Sequence, residues 1–170
     1  MTLDYNAVTA VATALAAFAA VIALLYDNQR SRFALGVETL LKLDDKFDGA
    51  TIKAARRKAA QSLLKNSNEG LDDILDFFEM VGLLTRRGAI DAVLVCDLFF
   101  DWIHCYWTLA KEYVDAIRVK ENPTIWLEAE WLHTRLVEIE KRKSKCSTSD
   151  LALSEEDGRE FLDAESKIDL

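Results

Sequence analysis

The sequence predicts an all-α fold, an N-terminal transmembrane helix followed by a cytoplasmic helical bundle of about five helices. Three observations carry that expectation. One proline and six glycines in 170 residues leave few helix breakers, in a chain rich in the strong helix formers Ala, Leu, Lys and Glu. The stretch from Ala7 to Tyr26 runs twenty residues without a charge, a glycine or a proline. Beyond it, apolar side chains keep recurring at helical spacing. The expected organisation is an anchor over residues 1–26, a bundle over 27–146, and a linker with a short helix over 147–170.

A twenty-residue helix is about 30 Å long, the thickness of a bilayer's hydrocarbon core. Nine of the twenty residues are Ala, so the drive into lipid comes from Val8, Val11, Leu15, Phe18, Val21, Ile22, Leu24 and Leu25. Before the span stands only Asp4; after it come Arg30, Arg32, Lys42 and Lys46. The basic side stays cytoplasmic, which places the N-terminus outside and the bundle inside a bacterial inner membrane. A cleaved signal peptide fits poorly, because Met1 to Asn6 lacks Lys and Arg and apolar residues continue past Ala17 to Ala19. The stronger rival is an Ala-rich core helix of a soluble bundle. Small residues at Ala12, Ala16 and Ala20, and at Thr9, Thr13 and Ala17, would let two spans approach closely as a homo-oligomer.

The first helix is expected to run on with Phe33, Val37, Leu40, Leu41 and Phe47 on its apolar side, and to end at Asp44, Asp45, Asp48 and Gly49. Thr51 is the expected N-cap of a second helix from Ile52 to about Leu64. That helix carries Lys53, Arg56, Arg57 and Lys58, read either as an anionic-lipid contact beneath the membrane or as a solvated face. Helix three covers LDDILDFFEMVGLLTRRG, with Arg86 and Arg87 in its last turn and Gly88 as a left-handed cap residue. Helix four is expected from about Ile90 to Val119. Asn122-Pro123 then breaks the chain, with the proline in the first turn of helix five. The last helix starts at Ser154 and has only Phe161, Leu162 and Ile168 as anchors, which predicts weak docking. Phe77, Phe78, Trp102, Trp107, Trp126 and Trp131 are the expected large core residues.

The net charge of −8 is unevenly placed, with +4 over residues 27–65 and acidic segments beyond. A basic face is what nucleic acid requires, so the acidic remainder argues against nucleic-acid binding. Cys96, Cys105 and Cys146 have no zinc or disulfide spacing. The one constellation resembling a metal site is the pair Asp101/His104 and Glu130/His133, since di-iron bundles use Glu-x-x-His on two helices. Asp101 stands where that pattern has Glu, and no further Glu pair completes it. Cys105 beside His104 points about 100° away around the helix and makes no nucleophile pair. Glu79, among Phe77, Phe78, Met80 and Val81, calls for a structural partner, with Arg56, Arg57 and Arg118 as the candidates. The expectation is therefore no enzyme, no catalytic, cofactor or metal residue, and no cofactor.

The run DFFEMVGLLTRRGAID (Asp76 to Asp91), with Trp107, the Arg118 region and FLDAE (Phe161 to Glu165), resembles a bacterial domain-of-unknown-function family. Its members are short proteins that pair one N-terminal span with a cytoplasmic all-helical domain. The resemblance implies an anchor and a fold over most of residues 27–170, and no substrate, cofactor or catalytic residue. The function expected is a membrane-anchored interaction or scaffold module. The alternatives are an oligomerising membrane effector in stress or phage defence and a metal-dependent bundle enzyme.

Overall fold

The structure, a computed structural model, describes the backbone of residues 5–145 and 151–169 and the side chains of residues 13, 18–145 and 151–169. Seven α-helices and no strand occur among them: α1 (Tyr5–Phe47), α2 (Ala50–Leu63), α3 (Leu71–Arg86), α4 (Ala92–Leu109), α5 (Lys111–Lys120), α6 (Leu127–Ser144) and α7 (Glu155–Glu165).

With 43 residues, α1 is about 65 Å long. Of its described side chains, those of the last turns enter the core, through Leu40, Leu43 and Phe47. Phe33 and Leu41, expected on the buried side, are 60% and 56% exposed. Gly36 lies against Ala89, in the turn that follows α3. A Cβ there would lie 3.0 Å from the Ala89 carbonyl oxygen, so the missing side chain permits the approach.

The N-cap of α2 is Gly49 in extended conformation, not Thr51, which lies inside the helix. Gly70, ahead of α3, has φ 85° and sits 3.2–3.3 Å from Ala59 N and Ala55 O as judged from a Cβ position. Both the backbone sign and the space there select glycine. α3 buries Leu71, Ile74, Leu75, Phe77, Phe78 and Val81, the spacing its sequence shows, and Gly88 follows with φ 69° as expected.

The single long helix expected after Ile90 is two helices. Asp91 starts α4 by accepting from Val93 N at 2.8 Å and Leu94 N at 3.2 Å, and Ala110 (ψ −1°) separates it from α5. Alanine carries no signal for such a break, which explains why the sequence reads straight through it. Pro123 also lies outside α6, whose N-cap is Trp126 in left-handed conformation. Phe77, Phe78, Trp107 and Trp126 are buried; Trp102 and Trp131 are half-buried against the core.

α6 packs most extensively on α3 and then α4, while α2 bridges α3 and α7. Gly82 sets the α3–α6 distance, since a Cβ there would fall 2.3 Å from the Glu128 carbonyl oxygen. At the centre, Phe47 meets Phe77, Phe99 and Trp102 with centroids 5.2–5.4 Å apart, distances at which tilted and edge-on rings attract.

Candidate functional site

Two features of this fold stand apart from ordinary packing. The first is the exposed apolar face of α1. Phe18, Val21, Ile22, Leu24, Leu25 and Tyr26 are 51–69% exposed, and the helix carrying them leaves the bundle behind. A water-soluble helix normally turns such residues inward. Of the small-residue strips, Thr9, Ala12, Ala16 and Ala17 lie outside the described side chains. Among the described residues one helix is long and apolar enough to cross a membrane, Ala92–Leu109. Its Val95, Phe99, Ile103 and Tyr106 are at most 1% exposed within the bundle.

The second feature is a buried polar slot between α2, α4 and α7. Arg56, one of four basic residues read as an anionic-lipid contact or a solvated face, is instead 4% exposed and points into the bundle. Its place on α2 is flanked by Ala55, Ala59 and Ala60, all buried, so the helix lies too close to its neighbours for Arg56 to reach water. The guanidinium donates from Nε and Nη2 to the Glu165 carboxylate at 2.8 and 2.7 Å. The same carboxylate accepts from Trp102 Nε1 at 3.1 Å and Tyr106 Oη at 3.0 Å. Phe47 lies under the guanidinium, 4.2 Å from Cζ to the ring centroid, a cation–π arrangement. Burial opposes the Arg56 charge, but the Glu165 carboxylate outweighs it and holds its pKa above the ordinary value. Burial and the same carboxylate push the Tyr106 phenol strongly upward, so it remains a donor. The corrected basic surface of α2 is Lys53, Arg57 and Lys58, and Lys58 pairs with Glu69 at 3.3 Å.

The same contacts add an anchor to those expected for the last helix. Ser154 caps α7 as expected, but its main anchor is Glu165 rather than an apolar stripe. Leu162 is buried, Phe161 packs on Tyr106 with centroids 5.1 Å apart, and Ile168 is half-exposed.

The two acid–histidine pairs meet through their histidines. His104 Nδ1 and His133 Nε2 are 3.0 Å apart, and His104 Nε2 lies 2.8 Å from Leu151 O. A carbonyl can only accept, so His104 carries its proton on Nε2 and accepts from His133 Nε2–H. His133 is held neutral, its pKa pushed down to about 4 by burial and by His104. Asp101 is exposed, and Glu130 turns to Arg118 at 2.8 Å. Among the described residues no three His, Cys, Asp or Glu gather as metal ligands. Burial raises the Cys96 and Cys105 thiols to about 11, far from thiolate chemistry. Cys146 lies outside the described residues.

Glu79 pairs with backbone rather than with an arginine. Its Oε2 accepts from Ala129 N at 2.8 Å, capping the start of α6 from α3 because Trp126 offers no side-chain cap. Burial raises its pKa despite that bond. Arg118 holds the other side of this junction, donating to Ile125 O at 2.8 Å and Trp126 O at 3.2 Å.

A family model described as a domain of unknown function, DUF4760, matches residues 7–136. The chain belongs to that family. The DUF4760 match takes in the apolar segment from Ala7 and stops at Leu136, short of the FLDAE run that also bore the resemblance. Arg56, Trp102, His104 and Tyr106 therefore lie inside the DUF4760 region, and α7 lies outside it. Comparison with curated proteins and with solved structures finds no match.

Proposed function

We propose that this DUF4760 chain is a membrane-anchored helical interaction module. Residues 7–26 cross a bacterial inner membrane once, the N-terminus outside and the bundle in the cytoplasm. The observation that carries this reading is the apolar run from Phe18 to Tyr26, 51–69% exposed on a helix extending beyond the bundle. The bilayer supplies the burial that the bundle does not, at about 25 cal/mol per Å² of apolar surface. Arg30 and Arg32 follow within two turns, where anionic headgroups attract them, and Lys53, Arg57 and Lys58 extend the basic surface. The bundle then acts as a scaffold held at the membrane.

Orientation is tested by labelling single cysteines with a membrane-impermeant maleimide in spheroplasts, on a Cys146→Ser background. Thr2→Cys should label in intact spheroplasts and Ser166→Cys only after permeabilisation. Labelling of Ser166→Cys in intact spheroplasts would overturn the orientation.

A further inference from the structure

Between α1 and the turn that joins α3 to α4 lies a cavity of about 490 Å³, within the roughly 300–1,000 Å³ of small-molecule sites. Its α1 wall runs from Val37, beside the contact of Gly36 with Ala89, up to Gln29, the end nearer residues 7–26. Two side chains of opposite charge line it, Arg32 from α1 and Asp91 from the start of α4. They do not pair with each other, and Arg32 has no ion-pair partner among the described residues. Asp91 uses one oxygen on its own helix. Oδ1 accepts from both Val93 N and Leu94 N, and Oδ2 takes no bond among the described residues. Phe33, 60% exposed, adds an apolar wall with Ile90 and Leu94. One unpaired cation, one open carboxylate oxygen and an apolar wall match a zwitterion that carries an apolar tail.

We infer that this cavity seats the headgroup of a zwitterionic aminophospholipid, its phosphate on Arg32 and its ammonium on Asp91 Oδ2. The inference rests on the membrane placement proposed above, which sets the depth. At about 1.5 Å per residue, Gln29 and Arg32 lie about 4 and 9 Å beyond Tyr26 along the helix. The polar layer flanking the hydrocarbon core is roughly 5–8 Å thick on each side. The Gln29–Arg32 end of the cavity is therefore level with the headgroups of the cytoplasmic leaflet. A guanidinium holds a phosphodiester through paired N–H donors. An ammonium brings three donors to a carboxylate, whereas a quaternary amine brings none. An anionic headgroup without an amine would leave Asp91 facing a second negative charge. The amine is what the site selects. Arg30 stands at nearly the same depth but does not line the cavity, so it attracts any anionic surface without sharing in the selection.

The test reconstitutes the full chain into vesicles of equal parts phosphatidylethanolamine, phosphatidylglycerol and phosphatidylcholine. The vesicles are floated and extracted in mild detergent, and the lipids retained on the chain are quantified by native mass spectrometry. The expected result is phosphatidylethanolamine retained several-fold above its share. Arg32→Gln and Asp91→Asn should each return it to the vesicle ratio, and Arg30→Gln should not. Asparagine keeps an oxygen for Val93 N and Leu94 N, so Asp91→Asn removes the charge and leaves the cap of α4. Retention in the vesicle ratio, or of phosphatidylglycerol above phosphatidylethanolamine, would overturn the site while leaving the anchor intact. Equal losses from Arg30→Gln and Arg32→Gln would also overturn it, reducing it to charge attraction. If glycerophosphoethanolamine alone binds the detergent-purified chain and no lipid is retained, the ligand is a soluble zwitterion and the lipid assignment falls. A chain that does not float with the vesicles would overturn the anchor itself, and this site with it.

Discussion

Glu165→Gln isolates the charge of the buried slot while keeping its shape. The wild-type carboxylate accepts four bonds, two of them from Arg56. An amide offers one oxygen, so its NH2 group must face donors it cannot satisfy. Tyr106 keeps a partner, because its hydroxyl also reaches Arg56 O at 3.1 Å. Arg56 does not. Its remaining carboxylate, Asp48, is 3.5 Å away and 64% exposed, a weak partner. Removing one side of a buried pair costs about 3–5 kcal/mol. At about 2–4 °C per kcal/mol for a chain of this size, the melting temperature should fall by roughly 6–20 °C if α7 stays in place. If α7 leaves instead, water reaches Arg56 and the loss is capped at the docking free energy of the helix. Urea unfolding in mild detergent gives the total, and amide exchange along residues 155–165 tells which route is taken. Arg56→Leu combined with Glu165→Leu should recover most of the loss, since an apolar pair of similar volume tolerates the site. A loss under about 1 kcal/mol, with α7 amides as protected as those of α4, would refute this reasoning.

Acid should destabilise the bundle through His133. Its folded pKa is about 4, against about 6.5 unfolded, so the unfolded chain binds the extra proton between those values. Stability is fully present above pH 6.5 and falls on acidification by up to about 1.4 kcal/mol per unit; urea titrations from pH 7 to 4.5 should show a slope that His133→Gln flattens. Gly82→Ala drives a Cβ to 2.3 Å from the Glu128 carbonyl oxygen, and should cost about 1–3 kcal/mol through overpacking, read as a lower melting temperature. Glu79→Ala should cost about 1–2 kcal/mol as a lost cap. Glu79→Gln should cost less at pH 7, because it keeps an acceptor for Ala129 N and removes a carboxylate whose pKa burial raises. Equal losses for the two Glu79 variants in parallel melts would remove the capping role.

The helices were legible where local chemistry fixes them. Ser154 before three acidic residues, Gly88 after two arginines, and the apolar stripe of α3 all read correctly, because caps and periodicity are local signals. The α4–α5 break at Ala110 and the cap of α6 by Glu79 were not legible, since both are imposed by packing between helices distant in sequence. The slot was hidden for the same reason. Arg56 sits in a run of four basic residues that reads as a surface, and Glu165 lies 109 positions away. A weak hint existed in the small residues Ala55, Ala59 and Ala60 around Arg56, which mark a face in close contact. The histidines were singled out for their spacing to Asp101 and Glu130. Their actual relation, to each other and to Leu151 O, required the fold.

The central claim, that residues 7–26 hold this bundle to a membrane, is tested most directly by fractionation with an alkaline carbonate wash. The chain is compared with its Leu15→Arg/Phe18→Arg variant, in which two charges lie near the middle of residues 7–26, each opposing insertion by about 2.5–3.5 kcal/mol at a span's centre. The account predicts that the unaltered chain stays in washed membranes and that the variant is released as a helical, soluble protein. Recovery of both in the soluble fraction would contradict it, and would make α1 the core helix of an assembly in water.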